Sequence, residues 1–305
     1  MSVSIVLRVK NEARMLHDVL QGVERQQYIG DVELVVVDSG STDGTLEIAR
    51  AHNCRIFCIK PEDFSWGYAL NLGAEKATGD FIVYLSGHCV PVDEFWLENL
   101  LAPFEDASVG GVYSRHVPIV EIDPFEAIEL EYFWFPAGSG EPTESDAFSN
   151  ASSALRRSTW ESEKFDEKLL MVEDGDWANR ARAAGWKIIY QPRSMVYHSH
   201  PPRVENIYRR WFSRCYAAKK ILPRTREGSL LYLMYKTLLC GWLDLKYLAR
   251  HGLLSRFWQI PLYEAARQLG AYHGARAAIA GKPFDRWHDV PVPRILEKLC
   301  KPIER

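Results

Sequence analysis

No CxxC pair occurs among the six cysteines, at 54, 58, 89, 215, 240 and 300. Their density is far below that of a small disulfide-stapled secreted domain, so they read as reduced thiols. No run approaches the roughly 20 apolar residues that a spanning helix needs. The nearest, Leu230 to Leu248, is interrupted by Lys236, Asp244 and Lys246. No signal-peptide pattern opens the chain, because Arg8, Lys10 and Glu12 follow Met1–Leu7 at once, and the expected compartment is the cytoplasm. No GxGxxG follows the first predicted strand and no GxxxxGK[ST] occurs anywhere, which removes the usual support for a dinucleotide site or a P-loop. Internal repeats and low-complexity tracts are also missing. The net charge of −3 singles out no class of partner, and nucleic acid is not expected. What remains is a globular chain of 305 residues, 47% hydrophobic and 25% charged, long enough for one large domain and an appendage.

Phe81 to Leu85 is a nearly unbroken apolar run, as in a central parallel strand covered on both faces. Ser86-Gly87-His88 breaks it. Ligands of open α/β sheets bind outside the carboxyl ends of strands, so this turn is a candidate metal or phosphate site, with an ordinary strand-to-loop turn as the plainer reading. Ser4 to Val9 predicts a first strand, followed by a helix with Leu16, Val19, Leu20 and Val23 on one face. Val32 to Val37 predicts a second strand ending at Asp38. A polar turn, Ser39 to Gly44, leads to a helix over Thr45 to Ala51 and a strand over Arg55 to Ile59. This order predicts a parallel sheet with right-handed crossovers. A carboxylate placed like Asp38 can accept hydrogen bonds from a nucleobase imide or a ribose, whereas Asp43 is the better helix cap. Further on, 92–108 reads as a helix and Val109 to Val117 as a strand. An aromatic, acidic helix between Glu121 and Phe135 either flanks a cleft or belongs to the core, and 136–145 reads as a mobile loop.

Three segments in this order resemble a family 2 glycosyltransferase: Val9-Lys10-Asn11-Glu12, Val35-Val36-Val37-Asp38-Ser39-Gly40-Ser41-Thr42-Asp43, and Ala69-Leu70-Asn71-Leu72-Gly73-Ala74 ahead of Ala77-Thr78-Gly79-Asp80. The resemblance covers roughly residues 1 to 200. It implies an α/β GT-A (Rossmann-like) fold, a mixed, mainly parallel sheet flanked by helices, with a C-terminal α-helical extension. The implied domains are a nucleotide-sugar-binding and catalytic domain over 1–202 and a helical region over 203–305. By the same resemblance Asp38 binds the donor's base, with Val9, Asn11, Glu12, Ser39, Ser41, Asn71, Ser86 and Gly87 around the nucleotide. Asn150 contacts substrate. Glu173-Asp174-Gly175-Asp176-Trp177 resembles the family's ED motif, which makes Asp174 the base and puts Glu173 and Trp177 beside the substrate. Inverting transfer needs such a carboxylate to deprotonate the acceptor hydroxyl. Asp176 with Arg180 is better explained as an i,i+4 ion pair.

The family's metal-binding DxD falls on Ser86-Gly87-His88, where this chain departs from the pattern. The implied cofactor is a divalent cation, Mn²⁺ or Mg²⁺, and imidazole suits Mn²⁺ better. His88 could instead donate directly to phosphate. His198 and His200 share a face if their strand continues, and could join His88 around an ion; solvent-exposed loop histidines are the alternative.

Residues 203–226 hold eight basic residues against one acid, Glu205, so Arg209 and Arg210 are candidates for an anionic substrate, whether donor diphosphate or lipid-diphosphate acceptor. A membrane surface is a third candidate. Leu230 to Leu248 is either the core of a helical subdomain or an interfacial amphipathic helix. Trp242, Tyr247, Phe257, Trp258 and Tyr263 beside Arg250, Arg256 and Arg267 keep peripheral attachment to the inner face of the membrane, or a homodimer surface, open. The implied function is inverting, non-processive transfer of a sugar from a dTDP- or UDP-sugar to a glycan or glycolipid acceptor in surface polysaccharide biosynthesis. The serine-containing turn resembles the rhamnosyltransferase-like branch and points to dTDP-rhamnose. Polysaccharide synthases carry QxxRW, and Ile207-Tyr208-Arg209-Arg210-Trp211 lacks the glutamine. The rival is a non-catalytic nucleotide-sugar-binding or scaffolding protein that has lost DxD.

Overall fold

A computed structural model describes residues 1–119, 124–169, 171–200, 203–221, 226–284, 290–294 and 296. Its elements in chain order are β1 (Val3–Val9), α1 (Ala13–Glu24), β2 (Val32–Asp38), α2 (Thr45–Ala51), β3 (Arg55–Cys58), α3 (Trp66–Lys76), β4 (Phe81–Ser86), β5 (Val90–Pro91) and α4 (Trp96–Leu101). Next come β6 (Val109–Val117), α5 (Pro124–Ile128), β7 (Thr143–Glu144), β8 (Ser152–Arg156), α6 (Arg157–Ser162), α7 (Glu173–Ala183) and β9 (Lys187–Tyr197). Three helices follow, α8 (Val204–Ile221), α9 (Leu230–Arg250) and α10 (Ile260–Ile279). These fall into two compact units. The first comprises Met1–Pro118, Leu130–Leu169 and Glu173–His198; the second comprises the described parts of 119–129, 171–172 and 199–296.

In the first unit the strands form one sheet in the order β3-β2-β1-β4-β8-β6-β9-β5, with β7 on β9. The sheet is mixed, and its long ladders are parallel: β1 with β2 and β4, and β6 with β9. Strand alternation decides which side chains meet which helices. Ile5 and Leu7 of β1 and Val83 and Leu85 of β4 face Leu16, Val19 and Leu20 of α1 and Trp96 of α4. On the other face Val6, Val35, Val37, Ile82 and Tyr84 meet Ala69 and Leu70 of α3 and Trp177 of α7. Covering on both sides explains why β2 and β4 read as apolar runs. A Cβ at Gly73 would lie 2.2 Å from Val6 Cγ1, so α3 rests directly on β1.

The helix expected over 92–108 is confined to Trp96–Leu101 and continues as a 3-10 turn, Ala102–Glu105. Pro103 lacks the N–H that the next α-helical bond requires. The loop expected at 136–145 is tied to the sheet, since Thr143 and Glu144 pair with Tyr190 and Ile189, and Arg193 Nε donates to the Gly140 carbonyl at 3.0 Å. The helix expected between Glu121 and Phe135 is α5 followed by a π-helical stretch, Glu129–Trp134. Glu121 and the side chains of 132–134 lie outside the described residues, as do Arg224 and Cys300.

The second unit is helical. α8 and α10 approach so closely that a Cβ at Gly274 would stand 2.1 Å from the Phe212 carbonyl oxygen, and one at Gly270 2.5 Å from that of Tyr208. Their apolar core holds Phe125, Ile207, Tyr208, Tyr247, Leu248 and Tyr263. Within the unit Arg267 is buried among three carboxylates. Its Nη1 lies 2.7 Å from Glu264 and 3.8 Å from Asp244, and its Nε 2.8 Å from Glu129. Burial pushes Asp244 and Glu264 above the usual carboxylate range, against the pull of Arg267.

Candidate active site

The carboxyl ends of β1 and β2 are knitted together by their loops. Ser39 N donates to the Val9 carbonyl at 3.1 Å, Asn11 N to Ser41 Oγ at 2.8 Å, and Thr42 N to Asn11 Oδ1 at 2.8 Å. Asn11 holds φ at 57°, a left-handed conformation that asparagine tolerates better than most residues. Glu12 N donates to Thr45 Oγ1, and Asp43 accepts from the amides of Ala13 and Thr45, the first residues of α1 and α2; Gly44 and not Asp43 stands at the N-cap of α2, so Asp43 ties the two helix starts together instead of taking the cap expected of it. Asp38, at the end of β2, is buried, and its Oδ2 accepts from the amides of Gly40 and Ser41 at 2.9 and 3.0 Å. The turn itself therefore fixes the carboxylate, and a carboxylate with about four acceptor positions keeps capacity for a ligand's N–H.

At the end of β4, Ser86 N donates to the Ala151 carbonyl, and Gly87 packs where a Cβ would meet Val9 Cγ1 at 2.9 Å and Glu12 Cγ at 3.0 Å. Only glycine lets the chain turn so close to β1. His88 follows, with Nδ1 2.8 Å from Glu12 Oε1 and Nε2 3.3 Å from Nε2 of His198. The other nitrogen of His198 is 3.1 Å from His116 Nδ1, and the His116 ring stacks on Phe135 at 3.8 Å. With Nδ1–H donating to Glu12, Nε2 of His88 carries the lone pair. Two imidazole nitrogens bound to one ion at about 2.0–2.2 Å stand roughly 3.0–3.4 Å apart. The His88–His198 pair fits that requirement, and its carboxylate-backed imidazole is the arrangement that orients metal-ligating histidines. β9 ends at Tyr197, so strand alternation does not place His198 and His200 on a common face.

His200 belongs to the second unit. Its Nδ1 lies 2.8 Å from Glu126 Oε1, and Arg210 Nη1 is 3.0 Å from the same oxygen, while Arg209 Nε donates to the Val290 carbonyl. Burial alone would raise Glu126, but the His200 hydrogen bond and the Arg210 charge outweigh it and hold the carboxyl at about 2. A depressed folded-state pKa contributes stability above the unfolded value of about 4.5, lost as pH falls towards 2. For this nearly fully buried side chain the shift amounts to on the order of 3 kcal/mol. Urea midpoints should thus favour wild type over Glu126→Gln at pH 6 and converge towards pH 2; an advantage independent of pH would refute the assignment.

α7 begins with Glu173 and Asp174. Glu173 is buried; desolvation first, then the adjacent Asp174 charge, raise its carboxyl, and Arg8 opposes them. Asp174 is more open, and its Oδ1 accepts from Gly175 N at 2.8 Å. Arg8 was read from sequence only as an early charge. It sits one residue before the end of β1, its guanidinium 4.7 Å from the Trp66 ring centroid, and its buried Nη1 has no hydrogen-bond partner among the described residues. Its charge couples to Glu173 and Asp174. Arginine at that strand position, on the face opposite Leu7 and Val9, was the available signal. Just before the acid pair, Val172 has φ 62°, a conformation that costs a β-branched residue about 1–3 kcal/mol.

Three residues expected around the nucleotide or substrate, Trp177, Asn71 and Asn150, are buried. Trp177 is fully buried and donates to the Glu163 carbonyl at 2.6 Å, so its ring serves the core and not a substrate surface. Asn71 spends its amide on Phe165, Glu167 and Trp160, fastening α3 to the segment ahead of α7 rather than facing a ligand. Asn150 is buried with Oδ1 bonded to Ser153 Oγ, while its Nδ2 has no partner among the described residues. Such an orphaned donor suits a contact that a ligand completes.

The mixed, mainly parallel sheet flanked by helices, with its helical C-terminal region, is the fold of GT-A glycosyltransferases. A model of Glycosyl transferase family 2 matches residues 4–161, and the chain belongs to that family. Curated relatives include the O-antigen chain rhamnosyltransferase RfbN of Salmonella typhimurium, 28% identical over 70% of this chain and 71% of that protein. WbaN of Salmonella anatum, also an O-antigen chain rhamnosyltransferase, is 30% identical over 59% and 60%. Among solved structures, the mannosyltransferase PcManGT from Pyrobaculum calidifontis, in complex with GDP-Man and Mn²⁺, aligns with a TM-score of 0.61 at 21% identity, over 92% of this chain and 88% of that one. At that identity the likeness is one of fold.

Proposed function

We propose that the enzyme is an inverting, non-processive transferase that moves a sugar, rhamnose from dTDP-rhamnose being the first candidate and a UDP-sugar the second. The acceptor is a hydroxyl of a glycan or glycolipid in surface polysaccharide assembly on the cytoplasmic side, a reading supported by the relatives' action on O-antigen chains. The observation that carries it is the pair of hydrogen-bonded loops after β1 and β2, which hold the buried Asp38 carboxylate at the strand ends of a family 2 chain. Asp38 takes the base's N–H. Asp174 takes the acceptor's proton as its oxygen attacks the anomeric carbon, and the bond to the diphosphate breaks with its electron pair leaving on phosphate. His88 and His198 would hold a divalent cation, which when bound neutralises charge growing on the leaving group. Nitrogen ligands favour Mn²⁺ over Mg²⁺ there.

Incubation with dTDP-rhamnose and a lipid-linked glycan should yield dTDP and a product heavier by one deoxyhexose. Nucleotide binding without turnover across donors and acceptors would favour the non-catalytic reading. Because Glu12 orients His88, Glu12→Gln should weaken Mn²⁺ binding about 10- to 100-fold, measured by Mn²⁺ electron paramagnetic resonance, and His88→Ala should abolish it. Unchanged Mn²⁺ affinity in both variants would remove the metal from these histidines.

A further inference from the structure

α9 carries two unlike faces. Cys240, Asp244, Tyr247 and Leu248 turn inward. Leu231, Met234, Tyr235, Leu238, Trp242 and Leu245, spaced three and four apart, form a stripe between 44% and 79% exposed. The 3-10 turn Leu254–Gln259 adds Leu254, Phe257 and Trp258, each 49–59% exposed. Directly after that turn, Ile260 stands 3.6 Å from where a Cβ on Gly241 would be, so the turn abuts the middle of α9 and extends its apolar surface. Contiguous exposure of this kind marks an interaction site.

Cations border it. Lys246 lies 5.1 Å over the Trp242 ring, Lys236 and Arg250 are on the same helix, and Arg256 is in the 3-10 turn. At the start of α9 a cleft of about 610 Å³ combines Lys219, Arg226 and the single acid Glu227 with Leu231, Tyr235 and Ile279. Residues 203–284 hold fifteen lysines and arginines against four acids; Asp244 and Glu264 are buried together with Arg267, which leaves fourteen cations against two acids. This pattern selects the occupant. A second copy docked by a two-fold axis would set cationic border against cationic border. Spanning is excluded for the described residues, none of whose helices is long and apolar enough to cross a membrane. An anionic bilayer surface satisfies both parts: leucine and methionine reach the acyl boundary, tryptophan and tyrosine sit at headgroup level, and lysine and arginine meet phosphates.

We propose that α9 and the 3-10 turn after it form a monotopic docking face for an anionic lipid surface, with the Lys219–Arg226 cleft receiving a phosphate headgroup. The inference is independent of the transfer reaction, because binding is read without turnover. The full chain is spun with phosphatidylcholine vesicles and with vesicles of equal parts phosphatidylcholine and phosphatidylglycerol. It should pellet with the anionic vesicles, several-fold less at high salt, since each Lys or Arg near the surface adds about fivefold to affinity. Leu238→Glu with Trp242→Glu, both at exposed positions, should cut the bound fraction at least about tenfold while leaving the circular dichroism spectrum unchanged. Equal pelleting with and without phosphatidylglycerol, or none with either, would overturn the proposal. So would a concentration-dependent dimer in analytical ultracentrifugation that the double variant dissolves, since the face would then pair copies of the chain.

Discussion

Asp174→Asn is expected to lower the transfer rate by about 10²–10⁴-fold while nucleoside diphosphate binding stays near wild type. The substitution keeps size and hydrogen-bonding reach but removes the ability to accept a proton. The neighbouring Glu173 is the poorer base, because it is buried and its raised pKa keeps part of it protonated near neutrality, when a base must be ionised. Asp174 occupies the more open position at the start of α7. A calorimetric titration with dTDP alongside a product assay separates the two properties. A variant that turns over at the wild-type rate would move the base elsewhere, and one that loses nucleotide binding as well would make Asp174 a structural residue.

Arg267→Met should destabilise the helical unit by about 3–5 kcal/mol. The methionine fills similar volume, so the loss is electrostatic: Glu129, Asp244 and Glu264 would remain buried without their cation. Protonating them costs free energy at neutral pH, and leaving them charged costs more. The exposed pair Arg193–Glu141 is the control, since Arg193→Ala removes an ion pair and the Gly140 hydrogen bond, both held in solvent, and should change stability by no more than about 1 kcal/mol. Denaturant midpoints measured on both variants decide. A loss for Arg267→Met as small as for Arg193→Ala would show that the buried acids discharge without penalty.

The parallel half of the sheet was legible because each of its strands is followed by a helix whose apolar face is periodic, and because burial on both sides leaves continuous runs such as Val35–Val37 and Phe81–Leu85. β8 was not. Its sequence, Ser152-Ser-Ala-Leu-Arg156, has small residues where strands usually show branched ones, and what places it antiparallel between β4 and β6 is non-local pairing. The loops after β1 and β2 were readable from Asn11 and Asp38 because their local turn chemistry is also their positioning. Arg8 and His116 were passed over, since each acquires its surroundings only when distant segments meet: Arg8 near Glu173, and His116 between Phe135 and His198. Asn71 and Trp177 lie on the expected helices but are spent on packing that no spacing rule reveals. In the helical unit the charge excess was visible in composition, whereas the division of α9 into a buried and an exposed face depended on which side α10 and the 3-10 turn cover.

The most direct test of the central claim is calorimetric titration of the protein with dTDP and with UDP, each in Mn²⁺, in Mg²⁺ and in chelator. A nucleotide cradle built on Asp38 and backed by the His88–His198 pair predicts saturable one-to-one binding that is tightest in Mn²⁺ and weakest in chelator. Binding unaffected by chelator would contradict the metal assignment, and absence of binding to either nucleotide under all three conditions would contradict the account as a whole.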